Sequence, residues 1–411
     1  MSHTSSADGG KDVSVMIYGQ RYDRAAEALR QNGIDAWVIL GRETHILGEP
    51  ALLFLMPADV MNRAAVVVTA QGERICIISP IEAEEAKASG LFTRVQEYPR
   101  PALFEDTITQ VIKTLVPLNK IALDFSDSDP SSDGLTYTAW MMLQRCFKEA
   151  GFSGDLVSAA PVMKLVRGRK SDEEVEKIAA AVTQAMKIYE EARSQMRLGL
   201  SGMDVQRLFQ GIIDRKGYGY SWQKQANPYV SVGARSSYNC KIPPADVFIE
   251  PGDLVNVDLG IRLDGFASDN QRSFYALKAG ETCAPYEVQH AWETIQAINT
   301  AVCAAMKTSA NSDELNATGN RIMLENGYEQ GWKSSYGHEL GLFAHQGGIS
   351  AGFHPFKPEL DKILEENMTF TLEPAILTSH GRLCQEEVVR VTQSGGQMLS
   401  TPQSEIWLIR G

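Results

Sequence analysis

The sequence predicts two domains, an N-terminal α/β domain followed by a C-terminal α+β domain. Its 411 residues exceed the roughly 250–300 residues at which a single hydrophobic core stops growing, so two domains are expected. Helix-like and strand-like apolar patterns alternate over residues 16–163, whereas strand patterns dominate the later part of residues 164–411. Residues 1–15 are polar and are expected to form a disordered tail.

Apolar spacing gives the elements of the N-terminal domain in order. Helical spacing over Ile17–Gln31 ends at Asn32-Gly33, a pair typical of a left-handed helix cap. Beyond it, short apolar runs predict strands and longer segments with helical spacing predict helices. The predicted strands are Ala36–Leu40, Ala64–Val68, Ile75–Ser79 and Lys120–Phe125, and the predicted helices are Ile81–Ala88, Phe104–Leu115 and Thr136–Ala150.

The C-terminal domain is predicted to open with two helices. Ser171 and Glu174 have the spacing of a capping box, which favours a helix to about Gln195, and a second helix should end at Gly217. A β-rich pattern follows. The predicted strands are Tyr229–Val232, Leu254–Leu259, Phe266–Tyr275, Met368–Leu372, Glu387–Thr392 and Ile406–Ile409, and helices are expected over Tyr286–Lys307 and Ser312–Asn326.

Composition argues against several classes of partner. The net charge of −12 and the pI of about 5.2 disfavour binding to nucleic acid or to an anionic membrane, because both require a basic face. No apolar run approaches the roughly 20 residues of a membrane span. The six cysteines form no CxxC pattern. They are therefore expected to be reduced thiols in a cytoplasmic protein.

Two acidic residues flank a predicted hairpin in the C-terminal domain. The turn pair Asp264-Gly265 lies between the segments that contain Asp258 and Asp269. Centring the turn there places Asp258 opposite about Gln271 and makes Asp269 its diagonal neighbour on the same face. Two carboxylates on one face of an apolar hairpin repel each other, and a bound cation would compensate. The alternative is that both acids face solvent on an edge hairpin.

Further candidate ligands lie closer to the C-terminus. His338 and His345 are seven residues apart with a glycine between them, which favours a chain that wraps closely past a site. A lone histidine is more often structural. Glu373 ends an apolar strand directly before a proline, where an unpaired charge is costly. Glu386 follows after a predicted strand–turn–strand, and its neighbour Glu387 should point to the opposite face.

The charges of these candidates suit a pair of metal ions. Four carboxylates carry about −4, which two divalent cations would balance, and a bridging hydroxide would complete a two-metal hydrolytic centre. Ligation by oxygen atoms with one nitrogen suits manganese, which is our first choice, or cobalt, zinc or iron. The predicted metal ligands are Asp258, Asp269, His338, Glu373 and Glu386.

In their order and spacing these motifs resemble those of the pita-bread metallopeptidases, which include aminopeptidase P and prolidase, with creatinase as a metal-free relative. Asp258 and Asp269 are eleven residues apart, as in that family. The Gly-His338 pair followed seven residues later by a histidine, and the Leu-Glu373-Pro motif, are also similar. The resemblance implies a creatinase/prolidase-like N-terminal domain and a pita-bread catalytic domain.

The resemblance also implies roles for individual residues. Asp258 would chelate one metal ion and Asp269 would be shared, while Glu386 would bridge both ions. His338 and Glu373 would serve the second ion. The implied activity is that of an Xaa-Pro aminopeptidase or prolidase, in which a metal-bridging hydroxide attacks the amide carbonyl of a short peptide or small molecule.

Two catalytic residues and a dimer follow from the same resemblance. Glu373 would take the proton of the nucleophile, and His345 would bind the substrate carbonyl or stabilise the oxyanion. A homodimer is expected, in which the N-terminal domain of one chain borders the site of the other.

The chain departs from the family pattern around the substrate. The family's histidine about eighteen residues before the first metal aspartate is missing, and residues 233–241 contain none. Tyr238, Asn239 and Cys240 of this stretch are therefore the candidate substrate contacts. Three further positions differ from the family's acid, arginine and histidine, namely Gln346, Cys384 and Ser334.

These departures leave the function open between three classes. The first is a two-metal Xaa-Pro peptidase of ordinary type. The second is a two-metal hydrolase of a small non-peptide amide or an N-acyl metabolite on the same fold. The third is a pita-bread binding module without catalysis, against which the presence of all five ligands counts.

Overall fold

The computed structural model describes residues 7–127, 129–236, 242–243, 245–328, 336–348 and 363–410, and the side chains within this range from residue 15 onward. The backbone divides into two compact units, Met1–Glu173 and Glu174–Gly411. The predicted domain limits, with a boundary between residues 163 and 164, stay a prediction. Among the described residues no helix is long and apolar enough to cross a membrane.

The first unit is an α/β unit built on one mixed sheet. Its described strands are β1 Ala36–Gly41, β2 Ala64–Thr69, β3 Arg74–Ile78, β4 Arg94–Glu97, β5 Lys120–Leu123 and β6 Asp155–Ser158. Its described helices are α1 Ala7–Gln31, α2 Thr44–Leu47, α3 Pro50–Leu55, α4 Pro80–Ala88, α5 Phe104–Leu115, α6 Tyr137–Glu149 and α7 Ala160–Gly168. The described strands run in the order β4-β3-β2-β1-β5-β6.

The core of this unit explains its sequence pattern. Strand β1 is antiparallel to β2 and parallel to β5, so it is central, and its residues from Ala36 to Leu40 are buried. Helices α5 and α6 cover one face, where Ile108, Ile112 and Leu143 pack against Val38 and other strand residues. A continuous apolar run is typical of a strand that is buried on both faces.

The N-terminal tail differs from the expectation. Helix α1 begins at Ala7, ahead of the predicted start at Ile17, so residues 7–15 are helical instead of forming a disordered tail. The apolar spacing that signals a helix is missing from this polar stretch. A helix that is already nucleated extends at little cost per residue, which is the physical reason why spacing alone underestimates its length.

The described residues of the second unit form an α+β arrangement, with two groups of strands and two pairs of helices. Its described helices are α8 Asp172–Arg193, which begins at the unit boundary, α9 Gly202–Lys216, α10 Tyr286–Ala305 and α11 Ser312–Glu325. The described strands of the first group are β7 Gly219–Tyr220, β8 Tyr229–Val232, β9 Leu254–Leu259, β10 Ile261–Leu263, β11 Phe266–Ala267 and β12 Asn270–Ala276. Those of the second group are β13 His338–Glu339, β14 Gly347–Gly348, β15 Thr369–Leu372, β16 Ala375–Thr378, β17 Gly381–Cys384, β18 Glu387–Val391, β19 Gly396–Met398 and β20 Trp407–Ile409.

Two sheets carry the core of this unit. In the part of the chain that the structure describes, one sheet has the order β20-β12-β9-β8 and the other the order β14-β13-β15-β18-β19. Helices α8 and α9 pack on the first sheet, where Ile188 and Phe209 join Val257 in one apolar cluster. Helices α10 and α11 pack against strands of the second sheet. Ile295 of α10 and Phe370 of β15 belong to the same buried apolar cluster. Each sheet thus has its own pair of covering helices.

The hairpin is confirmed in its turn and register, with one difference. Leu263 pairs with Phe266, so the turn lies at Asp264-Gly265, and Asp258 pairs with Gln271 as expected. The predicted strand Phe266–Tyr275, however, is interrupted. Strand β11 belongs to a small sheet with β10 and β7, and β12 belongs to the large sheet with β9. The chain crosses from one sheet to the other at residues 268–269.

Candidate metal centre

The first two acidic candidates come from neighbouring strands of one sheet. Asp258 lies near the end of β9, and Asp269 lies directly before β12, at the crossing between the two sheets. The crossing is held because the Ser268 backbone nitrogen donates to the Ile261 carbonyl at 2.9 Å. The position of Asp269 is therefore set by the interruption between strands β11 and β12. Asp269 is buried, with 3% of its surface exposed.

The other three candidates lie at strand ends of the second sheet. His338 begins β13, Glu373 directly follows β15, and Glu386 directly precedes β18. A bridge between Gln271 and Glu386 joins the two sheets, since the Glu386 backbone nitrogen donates to the Gln271 carbonyl at 3.2 Å. The predicted strand–turn–strand between Glu373 and Glu386 is present, and its turn lies at residues 379–380, because Thr378 pairs with Gly381.

The structure brings the five candidates into one cluster, in which three carboxylates surround one imidazole nitrogen. His338 Nε2 lies 3.7 Å from Asp269 Oδ2, 3.6 Å from Glu373 Oε1 and 3.9 Å from Glu386 Oε1. Two groups of three have all their ligand atoms within 4.8 Å of one another, namely His338 with Glu373 and Glu386, and Asp258 with Asp269 and Glu386. Glu386 belongs to both groups, which is the geometry needed for a ligand shared by two ions.

Burial makes these carboxylates costly without a cation. Burial and the Glu373 carboxylate together raise the pKa of Asp258 to about 7, although Arg382 acts to lower it. Burial also raises the pKa values of Asp269, Glu373 and Glu386, and neighbouring carboxylates add to the shift at Asp269 and Glu386. Four ionised carboxylates at such distances are stable only with compensating positive charge.

The histidine is held as a neutral ligand. Burial lowers the pKa of His338 to about 4, so the imidazole is uncharged at neutral pH. Its Nδ1 lies 3.4 Å from the Glu339 carbonyl oxygen. A proton on Nδ1 leaves the lone pair on Nε2, which faces the carboxylates. The backbone is fixed as well, because the His338 nitrogen donates to Thr371 Oγ1 at 3.1 Å.

Two buried oxygen atoms show that the residues present fit metal ions. Asp258 Oδ1 and Glu386 Oε1 are buried and have no hydrogen-bond partner within the described residues. Buried carboxylate oxygens without a partner are rare and need compensation. Asp258 belongs to one of the two groups of three and Glu386 to both, so cations bound at these groups would satisfy both oxygens. Four carboxylates with one imidazole also form a donor set typical of divalent first-row metals.

His345 lies beside the cluster. Its ring stacks on that of His338 with 4.1 Å between centroids, and one of its nitrogens lies within 4.8 Å of ligand atoms of Asp269 and His338. Unlike the metal candidates it is exposed. The loop before it is shaped by Gln346, whose Oε1 accepts hydrogen bonds from the backbone nitrogens of Leu342 and Phe343. The amide at position 346 thus has a defined structural task.

Glu387 points away from the cluster, as strand alternation predicts. It is buried and accepts a hydrogen bond from Arg272 Nη2 at 3.0 Å. The neighbouring acids Glu386 and Glu387 therefore have separate environments. Of the other predicted site residues, Cys384 is buried with its Sγ 3.6 Å from the Glu373 carbonyl oxygen. The predicted substrate contacts Tyr238, Asn239 and Cys240, and also Ser334, lie outside the described residues.

Sequence reasoning missed two residues of the site. Gln271 Nε2 donates to Glu386 Oε2 at 2.9 Å and to Glu373 Oε2 at 3.2 Å. Arg382 Nη1 donates to Gln271 Oε1 at 2.6 Å. The available signals were strand alternation, which places Gln271 two residues after Asp269, and the position of Arg382 two residues before Cys384 on the same face of β17.

This fold, with its cluster of carboxylates and one imidazole between two sheets, is that of a two-domain protein equipped to bind metal. The sequence profile of metallopeptidase family M24 matches residues 172–394, more than half of the chain and all five candidate ligands. The chain belongs to metallopeptidase family M24.

Individual relatives cover part of the chain. A Bacillus subtilis protein is 28% identical over 255 residues, which are 62% of this chain and 66% of that protein. An Xaa-Pro dipeptidase of Lactobacillus helveticus is 26% identical over 249 residues, which are 59% of this chain and 62% of the relative. The chain thus spans less than two thirds of the length of these two relatives.

Solved structures share the fold over nearly the whole chain. An Xaa-Pro dipeptidase from Bacillus anthracis has a TM-score of 0.73 at 19% identity, and the match covers 95% of this chain and 100% of that one. An X-Pro aminopeptidase from Thermotoga maritima has a TM-score of 0.69 at 20% identity, covering 94% and 99%. The expected fold, an α/β domain followed by a pita-bread domain, is confirmed by these matches.

Proposed function

We propose that this protein is a metal-dependent hydrolase of a C–N bond, similar to Xaa-Pro aminopeptidases and prolidases. The observation that carries the proposal is the gathering of four carboxylates and one neutral imidazole, among which two buried carboxylate oxygens have no hydrogen-bond partner within the described residues. Membership of a metallopeptidase family supports it. So do the names of the relatives, since one from Lactobacillus helveticus is an Xaa-Pro dipeptidase.

Each side chain has a task in this proposal. Asp258 would hold one ion, His338 and Glu373 would hold the other, and Asp269 and Glu386 would be shared between them. Two divalent ions bound there would supply a Lewis acid for the carbonyl and an ionised water as nucleophile at neutral pH.

Two residues are proposed to act on the nucleophile and the substrate: one accepts the proton of the nucleophile, and the other binds the carbonyl oxygen of the substrate. Glu373 is the proposed proton acceptor, because its Oε1 lies 3.6 Å from His338 Nε2, inside the cluster where the nucleophile would form. His345 is exposed beside His338, so it can reach a bound substrate and hydrogen-bond its carbonyl oxygen as negative charge develops there.

Three finer assignments belong to the same proposal. The ions are manganese, because oxygen-rich ligation with one nitrogen suits it, with cobalt, zinc or iron as alternatives. The protein acts as a homodimer, which sedimentation at micromolar concentration tests. It works in the cytoplasm, where the described cysteines Cys76, Cys146, Cys283, Cys303 and Cys384 would stay the free thiols that the structure shows.

A second candidate keeps the metal centre and changes the substrate. Residues 233–241 contain no histidine, and the positions that resemble the family's acid and arginine are the neutral residues Gln346 and Cys384. Each lost charged hydrogen bond in the transition state costs on the order of 2–4 kcal/mol. On this reading the substrate is a small non-peptide amide or an N-acyl metabolite, and simple X-Pro dipeptides are cleaved weakly.

One experiment separates the candidates. The manganese-loaded protein is assayed on a series of X-Pro dipeptides and on a panel of small cyclic and N-acyl amides. A kcat/KM above about 10⁴ M⁻¹s⁻¹ on X-Pro dipeptides, the lower end of typical enzymes, supports the peptidase and rejects the altered substrate. A lower kcat/KM on X-Pro dipeptides, together with a higher kcat/KM on one of the small amides, supports the second candidate. A protein that binds no metal under these conditions would instead be a binding module without catalysis.

A further inference from the structure

Gln271 lies between a buried arginine and two of the candidate metal ligands. Its Nε2 donates to Glu386 Oε2 at 2.9 Å and to Glu373 Oε2 at 3.2 Å. Its Oε1 accepts a hydrogen bond from Arg382 Nη1 at 2.6 Å. The same nitrogen of Arg382 also donates to Asn256 Oδ1 at 2.6 Å, so the guanidinium is fixed to β9. Both Gln271 and Arg382 are buried.

The chemistry of the neighbours determines which way this amide faces. A guanidinium has donors only and an ionised carboxylate has acceptors only. If the amide were flipped, Nε2 would face the Arg382 donors and Oε1 would face the acceptor oxygens of Glu373 and Glu386, and all these contacts would be lost. Arg382 therefore fixes the orientation in which Gln271 presents both N–H groups to the two glutamates.

This orientation separates the oxygens of each glutamate. The Oε2 atoms of Glu373 and Glu386 accept from Gln271, whereas their Oε1 atoms face His338 Nε2 at 3.6 Å and 3.9 Å. Glu386 Oε1 has no hydrogen-bond partner within the described part of the chain. The oxygens that face the imidazole are thus the ones left available to a cation.

We propose that Gln271 is a positioning residue that turns the Oε1 atoms of Glu373 and Glu386 towards the metal beside His338, and that Arg382 acts through Gln271 by fixing its amide. The proposal rests on the proposed function, because it concerns the metal site of the hydrolase. Outer partners of metal ligands typically contribute 10–100-fold to metal affinity. Gln271 and Arg382 are outer partners of this kind for Glu373 and Glu386. No local sequence motif links them to the two glutamates.

The direction in which one substitution changes Mn²⁺ affinity separates this proposal from a simple charge effect. Arg382 carries a positive charge close to the cluster, and like charges repel. If charge alone mattered, Arg382→Met would tighten Mn²⁺ binding. Because Arg382 fixes the Gln271 amide, we expect instead that Arg382→Met weakens Mn²⁺ binding, by about 10–100-fold.

The test is a double-mutant cycle with Mn²⁺ affinity as the readout. Mn²⁺ is titrated calorimetrically into the metal-free full-length wild type, Gln271→Met, Arg382→Met and the double variant. We expect both single variants to bind about 10–100-fold more weakly. The double variant should bind no more weakly than Gln271→Met, because residues that act through one another are not additive. Arg382→Lys, which keeps a donor for Gln271 Oε1, should recover most of the affinity.

A matched control is Gln403→Met. Gln403 is also a buried amide beside β12, and its Nε2 donates to the Ser273 carbonyl oxygen at 2.9 Å, away from the glutamates. This variant should lose stability and keep wild-type Mn²⁺ affinity. Equal weakening in the control would show that any buried amide at this sheet has the same effect, and would overturn the proposal.

Several other outcomes also overturn it. Tighter or unchanged Mn²⁺ binding by Arg382→Met, or additive effects in the double variant, means that Arg382 does not act through Gln271. If the Arg382 variants fail to fold, Gln271→Met and the shortened Gln271→Asn still decide the question, since wild-type affinity in both contradicts the positioning role. A wild type that binds no Mn²⁺ overturns both this proposal and the proposed function, whereas a wild type that binds and variants that match it overturn this proposal alone.

Discussion

Binding of Mn²⁺ to the metal-free protein should release protons and weaken as the pH falls below 7. Burial, together with the Glu373 carboxylate, raises the pKa of Asp258 to about 7 in the metal-free protein. A carboxyl must be ionised before it binds a metal ion. The protonated form therefore competes with the metal, and affinity rises with pH until the carboxyl is ionised in the free protein too. For Asp258 alone this rise ends near pH 7.

The size of the loss in Mn²⁺ affinity follows from the raised pKa of Asp258. At pH 6, one unit below the pKa of Asp258, ionising this carboxyl costs about 1.4 kcal/mol, which lowers Mn²⁺ affinity about tenfold. At pH 5 the cost is about 2.7 kcal/mol and the loss about a hundredfold. Burial also raises the pKa values of Asp269 and Glu386, so these figures are minima. His338 adds no proton at pH 6, because burial lowers its pKa to about 4.

Calorimetric titration with Mn²⁺ in two buffers of different ionisation enthalpy counts these protons. At pH 6 the heats should differ by the equivalent of at least about one proton released per chain, as linkage between metal and protons requires. Asp258→Asn, which removes this carboxyl, should release fewer. Equal affinities at pH 6 and pH 7.5, with heats that do not depend on the buffer, would refute the view that these carboxyls are protonated in the metal-free protein.

Three further predictions test individual residues. Asp269→Ala should lower bound metal below two ions per chain in elemental analysis, while Asp264→Ala, at the hairpin turn, should leave it unchanged. His345→Ala should lower kcat by about 10²–10³-fold with metal content retained, and an unchanged kcat would remove His345 from the mechanism. Glu387→Gln should lower the free energy of unfolding in urea by about 3–5 kcal/mol, because it leaves the buried Arg272 guanidinium unpaired. Its metal content should match wild type, and loss of metal would contradict the separate roles of the two adjacent glutamates.

Central elements of the fold were predictable because their signals are local. Strands β2 and β9 are buried along nearly all their length, and their apolar runs predicted them within a residue. In the first unit, sequence reasoning missed the strands β4 Arg94–Glu97 and β6 Asp155–Ser158, which lie at the two edges of its described sheet. Both are partly exposed, so neither has an apolar run. An edge strand is defined by its pairing partner, which the local sequence does not contain.

The same distinction applies to the candidate site. Each of the five candidate ligands stands at a strand end or a turn, where a charge within an apolar pattern is conspicuous. Gln271 and Arg382 carry no such signal, because a glutamine in a strand and an arginine near a turn are ordinary. Their hydrogen bond joins residues 111 positions apart in the sequence. Only the folded arrangement of β12 against β17 shows that they meet.

The way the site is built allows the substrate to change while the metal ligands stay. All five candidate ligands are positioned by strands of two sheets, and the bridge from Gln271 to Glu386 joins these sheets next to the cluster. Such positions are set by the core, so they resist change. His345, by contrast, follows a loop whose shape depends on Gln346, and it is exposed. We therefore expect substitutions there to alter what the site recognises without disturbing the candidate ligands. Activity on X-Pro dipeptides therefore reports on the outer residues, and Mn²⁺ affinity reports on the ligands, so the two measurements test separate parts of the proposal.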